Sequence, residues 1–275
     1  MDDPRRDIEL MDANRALWNS WTPHHVAGEF YDVESFEAGR DTIDEIEAGG
    51  VGDVAGKTLL HLQCHFGLDT LSWARRGAKV TGVDFSEEAV AVARGLAEEL
   101  GLDARFVVSN VYDTLEALDG ERFDVVFTSY GAISWLPDLD PWAEVVAGAL
   151  KPGGVFEIVE HHPYLWPFDE NVEEPALVWK YDYFDREAIR DDMEGSYGAP
   201  ESGVKAPAYS WQHSFEDQIG ALARAGLRVT SLTEYPYISF PWFKFNVHGD
   251  DGFWHMPEGM PSIPMMYRIT ATSDA

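Results

Sequence analysis

Residues 59–84, LLHLQCHFGLDTLSWARRGAKVTGVD, leave a chain few ways to fold. Residues 59–62 form a short apolar strand interrupted by one histidine. Gly67 then closes a tight turn whose backbone a side chain would crowd. Leu68, Leu71, Ser72 and Ala74 share one face of a helix that stops near Gly77. Residues 79–83 are the next strand, and Asp84 stands at its carboxyl end. In an open parallel sheet covered by helices, ligands bind beyond that end of the strands. A carboxylate there, about 20 residues after a glycine turn, is placed to accept both hydroxyls of a ribose. The stretch therefore predicts a nucleoside-binding unit.

The spacing also argues against one ligand class. A dinucleotide fingerprint uses three glycines to let backbone approach a pyrophosphate, whereas Gln63 and His65 take two of those places here and only Gly67 remains. The segment resembles motif I of the class I S-adenosylmethionine-dependent methyltransferases, whose cofactor carries no phosphate. The usual run of that family is acidic-x-Gly-x-Gly-x-Gly, and His61, Gln63, His65 and Gly67 occupy the four places. Histidine tolerates positive φ better than most residues, so the turn remains feasible. The LHLQCHFG form is similar to that of a subgroup acting on small molecules. The resemblance implies that S-adenosylmethionine is held by His61, Gln63, Cys64, His65 and Gly67 in the turn, and by Asp84 and Phe85 after the second strand.

The rest of the chain keeps the rhythm of a βα repeat. Ser86 is a helix cap, with Glu87 and Glu88 placed favourably against the helix dipole. Ala89, Val92, Ala93, Leu96 and Leu100 form the apolar stripe of that helix, and Gly101 stops it. Residues 105–109 are a third strand leading to Asn110 and Val111. The resemblance assigns Asn110 to the adenine amino group; an ordinary turn-forming Asn is the alternative. Residues 123–128, FDVVFT, suit a strand buried on both faces and are similar to motif IV of the family. Ser129, Tyr130 and Gly131 are then expected to face the reactive sulfonium, with Trp135 and Leu136 as packing residues. The Asn/Asp-Pro-Pro-Tyr motif of nucleic-acid amino methylation is not found there. A helix over residues 141–150, the sharp turn LKPGG and a strand over 155–159 follow. Ser214 and Asp217 resemble a capping box for a helix over 215–225. Strands over 227–233 and 265–272 supply a final antiparallel pair.

Together these elements predict an α/β fold, a doubly wound, seven-stranded, mostly parallel Rossmann-like sheet with its last strand antiparallel. Residues 1–50 read as an N-terminal helical or lid segment. Within it residues 2–12 are charged, residues 13–36 are aromatic, residues 40–47 form a short acidic helix, and residues 49–56 link to the first strand. Tyr31 is the lid residue expected over the cofactor; packing of these aromatics on the core is the equal alternative. Residues 51–275 form the cofactor-binding domain. Insertions at about 161–213 and 236–264 are too long for plain loops in a compact domain and build an aromatic-rich cap.

Composition narrows the partners. A net charge of −29 on 275 residues is extreme, and such self-repulsion is a lever used in halophiles. The expectation is an unfolding midpoint that rises with KCl; a midpoint indifferent to KCl counts against a salt-adapted host. The same charge argues against a nucleic-acid substrate, whose phosphates supply most of the affinity. No apolar run reaches membrane-helix length and the N-terminus lacks a hydrophobic signal region, so cytoplasm and no membrane partner are expected. The single cysteine, Cys64, excludes an intramolecular disulfide and a cysteine-cluster zinc site. It reads as a small buried side chain.

The acceptor chemistry is less determined. Methyl transfer is an in-line displacement that gains from proximity and exclusion of water. A weakly acidic acceptor also profits from a base, and histidine is best matched to neutral pH. His161, His162 and His213 are the candidates, with His162, His213 and Tyr130 taken as the catalytic set. The alternatives are that His162-Pro163 only turns the chain and that His213 is a structural hydrogen bonder. Tryptophans and tyrosines in the insertions can stack a flat ring or a cation, and Glu160, Glu173 and Glu174 can add charge for a basic acceptor. No HxxxH or HxH spacing on a helix or strand supports a metal, and none is expected. The reading is methyl transfer from S-adenosylmethionine to a small molecule. The rivals are a non-catalytic S-adenosylmethionine-binding scaffold and an enzyme of the same fold that uses the cofactor without transferring methyl.

Overall fold

The computed structural model describes residues 4–274; residues 2 and 3 of the charged N-terminal run lie outside them. Helix α1 (Pro4–Ala27) is followed by α2 (Val33–Glu37) and α3 (Glu45–Val51). The repeat then runs β1 (Thr58–Leu62), α4 (Leu68–Arg75), β2 (Lys79–Asp84), α5 (Glu87–Glu99), β3 (Ala104–Val108), α6 (Thr114–Ala117), β4 (Phe123–Ser129), α7 (Leu139–Ala149) and β5 (Leu150–His161). A hairpin of β6 (Ile189–Glu194) and β7 (Lys205–Ser210) precedes α8 (Phe215–Arg224) and β8 (Leu227–Tyr235). Two-residue strands β9 (Tyr237–Ile238), β10 (Val247–His248) and β11 (Trp254–His255) make a small sheet of their own, and β12 (Met266–Ser273) ends the fold.

The seven-stranded sheet has the order β3-β2-β1-β4-β5-β12-β8. Strands β1 to β5 pair in parallel, while β12 is antiparallel to both β5 and β8. The expected architecture is therefore the observed one, and the order reverses beside β1. That reversal opens a crevice at the carboxyl ends of β1 and β4. Leu60, Leu62, Val126, Trp142, Val146 and Phe156 fill the core on one side of the sheet, all nearly inaccessible. Each such side chain contributes roughly 1.5–3 kcal/mol on burial.

Two local expectations fail. Residues 40–44 of the expected 40–47 helix are not helical; the acidic residues cap instead. Asp44 accepts from the Ile46 N–H and Glu47 reaches back to the Asp44 N–H, so α3 begins where the helix was expected to end. Gly49 and Gly50 lie inside α3 because a β-carbon at either would collide with Arg268 or Glu157. Their missing side chains let α3 sit close on β5 and β12. Similarly, LKPGG does not interrupt the strand. Leu150 already pairs with Phe123, a register shift absorbs the extra residues, and Gly153 takes φ 74°.

Docking α3 this way buries two acids. Burial pushes Glu157 up to about 8, against the pull of Arg268, and pushes Glu47 up to about 9. Both groups bind protons more tightly in the folded than in the unfolded chain. The stability they confer is full below pH 4.5 and is lost as pH rises through 8 and 9. Buried His61, drawn down to about 3, and His25, drawn down to about 4, act in the opposite sense and weaken the fold as pH falls below 6.5. The denaturant midpoint should therefore fall between pH 7 and pH 9, and Glu157→Gln should shrink that fall; equal midpoints for the wild type would refute the assignment.

Candidate functional site

The carboxyl ends of β1, β2 and β4 gather the residues named from the sequence. In the turn after β1, Gln63 has φ 55°, His65 φ 50° and Gly67 φ 82°. Alternate residues thus take the left-handed conformation that normally favours glycine. Gly67 owes its identity to packing, since a β-carbon there would lie 2.7 Å from the Phe106 ring and 3.1 Å from Ala93. Cys64 turns its thiol inward beneath the turn, where burial raises its pKa well above the usual thiol range; only its backbone can meet a ligand.

Asp84 ties the turn to β2. Its carboxylate accepts from the His65 N–H at 2.8 Å and from the Ser86 N–H at 2.9 Å. Burial pushes it up to about 6 even though these donors pull it down. Phe85 is half-buried beside it. Asn110 uses its side-chain oxygen to accept from the Tyr112 N–H at 3.1 Å, capping the short turn in which Val111 is buried.

His61 faces inward from β1. Its Nδ1 is hydrogen-bonded to Thr70 Oγ1 at 2.9 Å and its Nε2 to Ser129 Oγ at 3.3 Å, and Ser129 donates to Asp69. Held neutral by burial, it places an uncharged ring where the family has a carboxylate. Asp69, in the first turn of α4, supplies an acid in the same neighbourhood, and sequence reading missed it. Tyr130 follows β4 with φ 28° and donates its hydroxyl to Glu47.

A set of rings closes over the turn. Tyr31 lies 4.8 Å from Phe66 and 5.5 Å from His65, centroid to centroid, and its hydroxyl is hydrogen-bonded to Tyr197. Burial and then Tyr197 raise its pKa, with smaller contributions from Asp69 and Asp84, so the phenol stands near both acids. His25 Nδ1 is 3.0 Å from His65 Nε2, and its Nε2 is 2.7 Å from Ser196 Oγ. Trp18 packs edge to face on His65 and Trp135. The lid is anchored at both flanks. Asn14 exchanges two hydrogen bonds with Tyr209 of β7, and Asn19 accepts from Ser86 Oγ at 2.6 Å.

The three histidines near β5 separate. His162 lies on the opposite face from the crevice, hydrogen-bonded to Glu234 at 2.8 Å and packed on Phe215 and Tyr267. Its expected catalytic role is corrected on geometry: neighbouring strand residues point to opposite faces. His161 and His213 instead line one small recess with Ser134, Glu160, Trp166 and Trp211. His213 Nε2 is 2.8 Å from the Leu136 carbonyl oxygen, and burial lowers its pKa.

Glu160 was read as a possible charge for a basic acceptor. The structure gives it other work: it accepts from the N–H groups of Gly131, Ala132, Ile133 and His161. Glu173 and Glu174 are exposed. Among the described residues no group of three or more His, Cys, Asp or Glu could hold a metal ion.

The donor set suits an adenosine with an amino-acid tail. Asp84 is a buried carboxylate joined to the turn through the His65 N–H, and buried Gln63 Oε1 and His65 Nδ1 have no hydrogen-bond partner. These are the polar atoms a ligand in the turn would satisfy.

Comparison with known proteins points the same way. A family described as a methyltransferase domain matches residues 59–154. The ubiquinone biosynthesis O-methyltransferase of Idiomarina loihiensis is 31% identical over 175 residues, covering 63% of this chain and 68% of that protein. The enzyme of the same name from Alkalilimnicola ehrlichii is 29% identical over 164 residues, 59% of this chain and 62% of its own length. The chain thus spans about three fifths of the length of the first curated relatives it matches. In fold it is similar to an S-adenosylmethionine-dependent methyltransferase from Mesorhizobium loti, with TM-score 0.56 and 19% identity over 82% of this chain and 94% of that one.

Proposed function

Because this chain belongs to the class I S-adenosylmethionine-dependent methyltransferases, we propose that it methylates a small-molecule acceptor. One observation carries the reading: three alternate residues in left-handed backbone beside Asp84, at the sheet's reversal point. The bound cofactor supplies an electrophilic methyl group on a sulfonium. Asp84 holds the ribose hydroxyls, the turn from Gln63 to Gly67 cradles the tail, and Asn110 and Val111 border the adenine. Tyr31, His25 and Tyr197 exclude water once closed, and they must swing aside for a nucleoside to reach Asp84. Ser129 and Tyr130 border the methyl group, where Tyr130 is held by Glu47 and His213 forms a wall of the acceptor recess.

A small acceptor fits the charge of −29, which repels nucleic acid. Curated relatives are named for an O-methylation, and an oxygen acceptor is the form proposed here. No described helix is long and apolar enough to cross a membrane. A cytoplasmic location and a salt-adapted host remain parts of the proposal, the latter tested by the KCl dependence given above.

Calorimetric titration with S-adenosylmethionine and S-adenosylhomocysteine tests the assignment. Binding of both is expected; binding of neither ends it. Mass analysis of the turnover products then separates methyl transfer from other uses of the cofactor. A chain that binds both and turns over neither is the scaffold alternative.

A further inference from the structure

Resting on that reading, we propose that Asp69 holds the α-ammonium group of the cofactor, with Gln63 Oε1 as the second acceptor. The observation behind it is an acid withdrawn from water with no strong cation to answer it. Asp69 stands in the first turn of α4, where a helix N-terminus favours a carboxylate. Ser129 Oγ donates to its Oδ2 at 3.0 Å. Burial raises its pKa, while hydrogen bonds from Thr42 and Ser129 oppose. Arg40 attracts it only weakly, because that guanidinium is turned to the carbonyl oxygens of Tyr31 and Asp32. A carboxylate in such a place is costly without a counter-charge, and a cation brought by the ligand removes the cost.

The hydrogen bonds around His61 run in one direction. Ser129 gives its proton to Asp69, so toward His61 Nε2, 3.3 Å away, it can only accept. His61 therefore carries its proton on Nε2, and its Nδ1 accepts from Thr70 Oγ1 at 2.9 Å. Both ring nitrogens are engaged and burial keeps the ring neutral, which leaves His61 no means of holding a cation. The chain from Thr70 through His61 and Ser129 ends on Asp69 and supports the negative charge there.

The other acids around the crevice are already engaged. Asp84 accepts from the His65 and Ser86 N–H groups and is assigned to the ribose. Glu47, pushed up to about 9 by burial, is neutral near pH 7 and accepts from Tyr130 and the Asp44 N–H. Glu160 is taken by backbone N–H groups. Asp69 is within reach of the crevice. Burial first, and then the hydroxyl partners Tyr197 and Glu47, raise the phenols of Tyr31 and Tyr130, and Asp69 adds to both. Gln63 completes the pair. Its Nε2 donates to the Ala132 carbonyl at 2.7 Å, and its buried Oε1 has no partner. Both residues are thus tied to the segment 129–132 at the end of β4. An ammonium has three N–H donors and no acceptor, so it matches a carboxylate and an amide oxygen. The sulfonium has no N–H to offer, which singles out the amino group.

Calorimetry on the full chain tests this with S-adenosylhomocysteine and its deaminated analogue, in which hydrogen replaces the amino group and the carboxylate is kept. The wild type should bind the analogue about 10- to 100-fold more weakly than S-adenosylhomocysteine. Asp69→Asn keeps the shape and drops the charge. It should weaken S-adenosylhomocysteine by a similar factor and leave the analogue within about twofold, so that the preference disappears. S-adenosylmethionine should weaken as much, since it carries the same amino group. Gln63→Ala should shrink the preference in part; an undiminished one removes Gln63 from the site. Equal wild-type affinity for the two compounds overturns the proposal without any variant. A preference that survives in Asp69→Asn places the ammonium elsewhere. A loss shared equally by the analogue makes Asp69 a support of the turn, and a loss confined to S-adenosylmethionine assigns it to the sulfonium; each of these overturns the proposal. Failure of the wild type to bind S-adenosylhomocysteine overturns the methyltransferase reading instead.

Discussion

Glu160→Ala is expected to lower the unfolding free energy by about 3–5 kcal/mol, the cost of removing one side of a buried charged contact. The side chain is 4% exposed and accepts from Gly131, Ala132, Ile133 and the His161 backbone. Alanine leaves those N–H groups buried without an acceptor, at about 1–3 kcal/mol each before relaxation. Because those of Gly131, Ala132 and Ile133 lie on consecutive residues after β4, the segment that carries Tyr130 should loosen as a unit. Glu160→Gln keeps one acceptor oxygen and should cost clearly less. Urea unfolding of the two variants beside the wild type decides the matter. A loss below about 1 kcal/mol for the alanine variant, the size of one ordinary hydrogen bond, would show that water or a rearranged loop replaces the carboxylate.

Asp84→Ala should weaken S-adenosylhomocysteine by about 1–3 kcal/mol, the penalty for losing a charge-assisted partner. That is roughly 5- to 150-fold in Kd, read by calorimetry. Two losses combine: the ribose acceptor goes, and the His65 N–H that Asp84 accepts at 2.8 Å is set free, loosening the turn itself. Asp84→Asn keeps an acceptor oxygen but drops the charge, and should fall between the two. Since burial pushes Asp84 up to about 6, ligand affinity of the wild type should decline as pH drops below that value. Unchanged affinity in the alanine variant would place the ribose elsewhere.

Much of this molecule was legible in the one-dimensional chain because its signals are local. Ser86 and Ser214 cap α5 and α8 through bonds spanning three residues. Gly101 and Gly226 follow the ends of those helices in left-handed backbone. Period and punctuation also marked β1, β2, β4, β8 and β12. Local signals failed where one residue type serves two ends. Gly49 and Gly50 look like a linker, yet they are small because Arg268 and Glu157 press on them from more than a hundred residues away. Asp41 and Asp44 look like helix interior, yet the Asp41 carboxylate accepts from Ile43 in the turn before α3 and that of Asp44 from Ile46 at the helix start.

The lid shows the same division. Aromatic composition singled out the N-terminal segment and Tyr31, but nothing in the order of residues pairs His25 with Ser196, which lies 171 positions on. His161 and His162 are adjacent, chemically identical and equally plausible as bases. Strand alternation sends one to a recess with Trp166 and Trp211 and the other to Glu234.

From its residues alone this protein had its succession of strands and helices, its nucleoside turn and the acid that closes β2, because these depend on backbone permission and on apolar period over short spans. The closed lid, the buried acids Glu47, Glu157 and Glu160, and the choice among histidines were decided only in three dimensions. Burial and unshared lone pairs are properties of what surrounds a side chain, and those surroundings come from distant parts of the chain.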